Sequence, residues 1–582
     1  MSILERWTDR RTRLMNRFHA RRAARAAAAT GFQSNPEPRT VGSFARGRQL
    51  AAGNLMFAGH LIEAPKTVLW DIIPPDQAFE EETHSFAWLD DMAAVSELHT
   101  RKAAQEWVWG WIERYGDGSG PGWLPELTGR RMIRLVHHAL MLLRGRNAEQ
   151  TEQFYRALAA HAHFLSRRWH ATPACLPRIE ALTGLLYAGL SLQGMDRFVE
   201  PARKALAQEC AREIDADGGI ITRNPEELLE VFTLLTWAAA ALEEAGKTVD
   251  DDLRNAIQRI APILRSLRHS DGALARFHGG GRGIEGRLEQ ALAASGVRKR
   301  KTDGLAMGFA RLSAGRTSLI IDAAPPPVKE ASYNAHASTL AFELTSGRRP
   351  LIVNCGSGAI FGEEWRRAGR ATPSHSTLCL DGYSSARLGK ESNVRGATRE
   401  MLEDAPKTTP TQLSLTSDGV RFEGGHDGYV STHGLTHARI LEMTSDGRGV
   451  AGEDMLLAID PPHKATFDTR MNATLLEGIP FQIRFHLHPE VDAELDLGGT
   501  AVSMVLKSGE IWVFRHDSKA ELTIEPSVYL EKGRLRPRGA QQIVLSGRAM
   551  EYATSIRWSL AKAHDTAIAI RDVGEVEAEE PI

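Results

Sequence analysis

Between about residue 50 and residue 295, apolar residues recur at steps of three and four, the period of helices with one buried face. RKAAQEWVWGWIERYG, TGRRMIRLVHHALMLLRG, TEQFYRALAAHAHFLSRRW, RIEALTGLLYAGLSLQGM, RFVEPARKALAQECAREID and NPEELLEVFTLLTWAAAALEEAG each carry such a stripe. Connections rich in Gly and Asp, such as YGDGSGPGW and DADGG, end them. The texture changes around GGGRGIEG (279–286) and GVRKRKTDG (296–304), and from about residue 305 the period shortens to two. FQIRFHLHP places Phe481, Ile483, Phe485 and Leu487 on one face of a strand, with Gln482, Arg484, His486 and His488 on the other. AVSMVLKSGEIWVFRHD and ARILEMTSDGRGVAG read as hairpins turning at Ser508-Gly509 and Asp446-Gly447. The pattern predicts helical hairpins followed by an antiparallel β-sandwich. Periodicity alone leaves open whether the hairpins close into a toroid or stack as a solenoid.

Composition changes this picture little. A chain of 582 residues exceeds one hydrophobic core, and 42% hydrophobic with 25% charged residues is ordinary for a globular protein. The net charge of −2 gives no global attraction to polyanions, so no nucleic-acid partner is expected and an anionic ligand needs a local cluster of Arg, Lys and His. Cys175, Cys210, Cys355 and Cys379 are widely spaced, which argues against a disulfide framework and a thiolate zinc site. No run approaches the length of a membrane span. The N-terminus lacks a continuous apolar core between its arginines, so no secretion signal is read and the cytoplasm is the default location. Residues 1–48 hold eleven Arg against three acidic residues, and Ile3, Trp7, Leu14 and Phe18 fall on one helical stripe. This basic amphipathic segment is read as a helix docked on the body, with contact through residues 1–30 to a membrane surface or RNA as the alternative.

Candidate chemistry gathers where strands begin and end. In SYNAHASTLAFELTSGRRPLIVNCGSG, Asn334 and His336 are expected on one face of a strand, and Asn354 closes the next. His375 opens a third, SHSTLCLDG. Two imidazoles and an amide converging there could hold a metal or orient a carboxylate, or form hydrogen bonds at a sandwich edge. In HDGYVSTHGLTHARIL, alternation puts His433, His437 and Arg439 on one parity, read as a polar sheet face lining a cleft, with His426 in the preceding turn. In the helical half, Asn224-Pro225 is an N-cap and N1 pair, which leaves Arg223 to face a ligand. Arg178 sits at the first turn of another helix, and Trp123, Arg130, Arg131, Arg134, His137 and His138 could stack on sugars and pair with carboxylates, or pack helices.

The succession of YNAHASTLAFELTSGRRPLIVNCGSG, ATPSHSTLCLDG, HDGYVSTHGLTHARIL, GEDMLLAID and FQIRFHLHPEV behind a helical domain resembles the heparinase II/III family over most of residues 50 to 560. The resemblance implies an incomplete (α/α) toroid, set over 49–300, and a β-sandwich over 301–570, and the residues beyond, 571–582, read as an acidic tail. It also implies cleavage of a uronic-acid glycan by β-elimination in the cleft between the two domains, and a cell-envelope location as the alternative to the cytoplasm. Such a reaction neutralises the uronate carboxylate, removes the C5 proton and protonates the leaving oxygen. By the same resemblance His336 and His375 stand at zinc-ligand positions, Asn354 stands for a ligand aspartate and Asn334 for a catalytic histidine. Glu227 falls near the place of a catalytic tyrosine, and the catalytic asparagine of the helical domain has no counterpart. Tyr333 is a further proton-donor candidate, and Arg178, Arg223, Asn224, Trp123, Arg131 and His433 are candidate substrate contacts. Three readings follow: a divergent lyase, a non-catalytic glycan binder on the lyase scaffold, or an intracellular structural or regulatory protein.

Overall fold

The computed structural model describes residues 3–34, 36–65, 67–298, 304–394 and 397–563, so the acidic tail expected over 571–582 lies outside the described residues. The helices that carry the predicted stripes form as expected. Leu98–Tyr115, Pro125–His137, Ala148–Arg168, Leu176–Ser191, Val199–Glu213 and Pro225–Glu244 pack around one core, joined by Asp251–Ser266, for which no stripe was read. Their ends follow local chemistry. Asn147 closes a capping box with Gln150, and the Asn224 side chain accepts from the Glu226 and Glu227 amides at 3.0 and 3.2 Å.

Two of these helices cross through glycine. A Cβ on Gly129 would lie 2.2 Å from the Glu180 carbonyl oxygen, and one on Gly184 would lie 2.5 Å from the Gly129 Cα. That approach brings Arg130 of the helix Pro125–His137 against Glu180 of the helix Leu176–Ser191.

The first helix, Ile3–Ala24, docks by a face different from the apolar stripe. Asn16, Ala20 and Ala23 are buried, and Arg168 Nε donates to Asn16 Oδ1 at 2.7 Å. Leu14 and Phe18 are each 56% exposed, while the side chains of Ile3 and Trp7 lie outside the described residues.

The second half is a sandwich of two antiparallel sheets around a separate core. One sheet runs Glu521–Tyr529, Arg538–Ala549, Ile479–Leu487, Arg349–Val353, Phe342–Ser346, Thr317–Asp322, Phe309–Ala314, with Leu378–Leu380 added beside Ile479–Leu487. The other runs Thr411–Leu415, Gly419–Tyr429, Leu435–Thr444, Gly449–Leu457, Ala553–Lys562, Ile511–His516, Ala501–Leu506, Val491–Asp496. Phe481, Ile483, Phe485 and Leu487 face this core as alternation predicts.

Replacing Gly129 with alanine forces a methyl group into the backbone of the neighbouring helix. The Gly129→Ala variant is expected to lose ~1–3 kcal/mol, read in urea denaturation as a lower midpoint with an unchanged slope.

Candidate functional site

The segment expected to be a strand carrying Asn334 and His336 is a loop. A 3-10 turn at Lys329–Ser332 precedes it, and the strand begins only at Phe342. The short helix Glu363–Arg370 clamps this loop. Arg370 donates to the carbonyls of Ala335, Ser332 and Glu400 at 2.9, 2.9 and 2.8 Å, and Ala337 N donates to the Arg370 carbonyl at 2.8 Å. A guanidinium meeting three carbonyls fixes a loop that has no ladder of its own. Alternation therefore has no bearing on where these two side chains point.

His336 is buried and Asn334 half-exposed. His336 Nδ1 is 3.0 Å from His375 Nε2, and His375 Nδ1 is 2.9 Å from the Ala371 carbonyl, which it meets as a donor. His375 lies between the 3-10 turn Thr372–Ser374 and the strand Leu378–Leu380, not at the strand's start. The backbone amide of His336 donates to His278 Nδ1 at 3.2 Å. His278 Nε2 lies 3.4 Å from Asp322 Oδ2 without a hydrogen bond, and that oxygen accepts from Ser338 Oγ at 2.7 Å.

Asp322 is completed from the helical half. Arg223 Nη2 lies 2.5 Å from Asp322 Oδ1, and the same guanidinium donates to the carbonyls of Met307, Ala324, Pro325 and Gly308. Arg223 was expected to face a ligand. It instead joins the two halves of the chain, from a left-handed backbone with φ 50°. All of its directional donors are used within the protein.

The other expected contacts are also committed. Arg178 pairs with the buried Glu209 at 3.2 Å and donates to the Thr172 carbonyl at 2.9 Å. Trp123 is buried and donates from Nε1 to the Tyr115 carbonyl at 2.9 Å, so no sugar can stack on it. Arg131 is buried, with Nε donating to His161 Nε2 at 2.7 Å and its guanidinium 4.1 Å from the Trp111 ring centroid. Asn224 serves as the helix cap. Glu227 accepts from Thr222 Oγ1 at 2.8 Å, and the Tyr333 carbonyl accepts from Arg366 at 3.4 Å. The triglycine loop after His278 packs on Asn334, where a Cβ at Gly279 would sit 3.1 Å from the Asn334 Cβ.

The polar sheet face expected around His433 is an interior network. His426 lies within the strand Gly419–Tyr429, and His433 ends the helical turn Val430–His433, where its ring meets Tyr383. His437 and Arg439 do share a strand face, which is buried. His437 Nε2 is 2.8 Å from Asp454 Oδ1, and Arg439 Nε donates to the same oxygen at 2.7 Å. Trp558 Nε1 donates to Asp454 Oδ2 at 2.9 Å. Sequence reasoning passed over Asp454, Asp322 and His278. The only signal for Asp454 was an acidic residue inside the alternating strand Gly449–Leu457.

The zinc centre implied by the resemblance is not matched by its donors. Asn354 offers a neutral amide whose oxygen already accepts from Ser376 N at 3.0 Å. Among the described residues, no group of three His, Cys, Asp or Glu is placed to hold a metal ion.

The profile of the heparinase II/III-like C-terminal region matches residues 296–559. A curated relative, FtsZ-localized protein C of Caulobacter vibrioides, is 30% identical over 546 residues, covering 92% of this chain and 90% of its own. The chain belongs to the heparinase II/III-like family. A crystal structure of heparinase III aligns over 93% of this chain and 88% of its own, with a TM-score of 0.66 at 13% identity. A heparan sulfate lyase HepC mutant from Pedobacter heparinus aligns over 95% and 88%, with a TM-score of 0.55 at 14% identity. The architecture of this heparinase II/III-like protein is thus the toroid plus sandwich of those lyases.

Two outcomes follow for this heparinase II/III-like chain. Arg223→Met leaves Asp322 buried without its cation, with an expected loss of ~3–5 kcal/mol in urea denaturation. The second concerns pH. Burial lowers the pKa of His84 and of His137 from 6.5 to about 3 and that of His486 to about 4. His84 Nδ1 accepts from Trp111 Nε1 at 2.9 Å, a bond that only the neutral ring can accept. The unfolded chain takes up these protons near 6.5 and the folded chain refuses them, so their contribution is complete above 6.5 and is lost as pH falls toward 4 and 3. Urea midpoints are expected to fall steadily over that window. A flat profile contradicts neutral burial.

Proposed function

We propose that this chain is a non-catalytic protein on the lyase scaffold, working at the membrane face of the cell-division apparatus. One observation carries the first part. At the junction of toroid and sandwich, Arg223 is held by Asp322 and four carbonyls, and the His336 backbone amide by His278, while the His336 ring meets His375 within the sandwich. At the position of the catalytic histidine, Asn334 offers an amide with no titratable base. A lyase must leave donors open for the charge that develops on the uronate.

The second part is supported by the relative named for its localisation with FtsZ, which this chain matches across nearly its whole length. The exposed Leu14 and Phe18, on a helix that also presents Arg10, Arg13, Arg17 and Arg21 to solvent, support seating on an anionic lipid surface. No helix among the described residues is long and apolar enough to cross a membrane.

Offered heparin, heparan sulfate, chondroitin sulfate, hyaluronan and alginate, the purified chain is expected to release no ultraviolet-absorbing unsaturated uronate. Product that disappears in His336→Ala would restore the lyase reading. A fluorescent fusion is expected to gather at the FtsZ ring. The double variant Leu14→Asp, Phe18→Asp should lose sedimentation with phosphatidylglycerol vesicles while keeping its melting temperature.

A further inference from the structure

The helix Pro461–Ala473 ends in a turn built by leucine where glycine is the usual residue. Leu475 and Leu476 both hold left-handed backbone, at φ 53° and 65°. Thr474 N donates to the Arg470 carbonyl at 3.1 Å and Leu476 N to the Met471 carbonyl at 2.9 Å, so the turn satisfies the last carbonyls of the helix. Side chains crowd the backbone in that conformation, and glycine adopts it without the penalty. The leucines recover nothing for it within the chain: Leu475 is 84% and Leu476 62% exposed. Three more exposed apolar residues stand beside them. A Cβ on Gly478 would lie 2.4 Å from Met550 Sδ, and Arg548 donates to the Glu477 carbonyl at 2.9 Å. Ala458 N donates to the Tyr552 carbonyl at 2.7 Å, which sets Ile459 next to that residue. Tyr552 is held by its hydroxyl, 3.0 Å from both oxygens of Asp468, and by Phe467, whose ring centroid is 5.5 Å away.

Ile459, Leu475, Leu476, Met550 and Tyr552 thus make one apolar patch where this helix meets the hairpin turn after Arg538–Ala549. Five side chains so exposed present on the order of 500 Å², within the range of patches that carry a function. The charges on the same helix and turns are balanced. Lys464, Arg470 and Arg548 stand among Asp460, Glu477 and Glu551, while Asp468 is taken by Tyr552. An anionic lipid surface selects a basic rim, and this rim has no excess of either sign. A rim of both signs complements itself, and a two-fold contact brings its cations opposite the acids of a second copy. Doubling the patch gives about 1,000 Å² of buried surface, the lower bound of a specific contact. We propose that two copies of this chain meet here on a two-fold axis, with Leu475 and Leu476 of each seated on Ile459, Met550 and Tyr552 of the other. Burial in the second copy offsets the backbone cost of the two leucines. The contact stands apart from the seam and does not depend on the non-catalytic reading.

Sedimentation velocity on the full chain across the micromolar range tests this. The unmutated chain is expected to shift from monomer to dimer as its concentration rises. Leu475→Asp should weaken that association by about tenfold or more at an unchanged melting temperature. The double variant Leu475→Asn, Leu476→Gly removes both side chains and suits the left-handed backbone. It should sediment as a monomer, with a melting temperature no lower than that of the unmutated chain. Leu415→Asp, at an equally exposed leucine on the edge strand Thr411–Leu415, is expected to leave the dimer intact. A monomer at every concentration, a dimer that survives the double variant, or one lost equally in Leu415→Asp would overturn the proposal. So would a chain that stays monomeric and binds neutral phosphatidylcholine vesicles through Leu475, which assigns the leucines to a lipid surface.

Discussion

Asp322 is the point on which the two halves of the molecule depend. Its carboxylate sits on the last residue of the strand Thr317–Asp322, buried, and its hydrogen-bond partners are Arg223 from the helical side and Ser338 from its own side. A buried carboxylate without such partners would neutralise itself or destabilise its surroundings. The domains must therefore meet in one register that satisfies it. A second tie has the same logic. Arg276 donates to the carbonyls of Cys355 and Leu530 at 3.0 and 2.9 Å, its backbone amide donates to Glu343 at 3.0 Å, and its guanidinium lies 4.0 Å from the Tyr529 ring centroid. Two cationic side chains thus reach from the helical half into the sandwich and tie it there. Both ties stabilise the seam between the two halves.

That constraint explains which sequence expectations held. Helix stripes and strand alternation report burial, and burial is a property of each element alone, so Phe481, Ile483 and Phe485 face the core as their spacing predicts. The Asn224 cap was equally legible, since a cap is satisfied within a few residues. The loop around His336 was not. Its conformation is imposed by Arg370, more than thirty residues later, through the carbonyls of Ser332 and Ala335. The apolar residues around it imitate a strand because the loop is buried, and period-two reasoning has no term for a guanidinium that replaces the ladder.

Arginine is where sequence reading misleads most consistently here. Arg131, Arg178 and Arg223 were attractive as receptors for an anionic glycan, because arginine beside aromatic residues and helix ends suits carboxylates. The same fork of donors suits carbonyls and internal carboxylates equally well. Partner choice depends on what the fold brings near: His161 and the Trp111 face for Arg131, Glu209 for Arg178, Asp322 for Arg223. Nothing local in the sequence distinguishes a guanidinium awaiting substrate from one already satisfied.

The same reasoning run in reverse asks what is left unsatisfied. At the seam Asn334 and Asn354, which the resemblance sets at the places of a catalytic histidine and a ligand aspartate, carry neutral amides, and Asn354 is engaged with the Ser376 amide. Such replacements keep shape and hydrogen bonding while removing charge, and a fold does not depend on the chemistry that charge supports. Unpartnered buried groups are found in both places, Glu180 Oε2 and Arg287 Nε in the toroid and His278 Nε2 and Arg276 Nη1 at the seam, so burial cost alone does not separate the two regions.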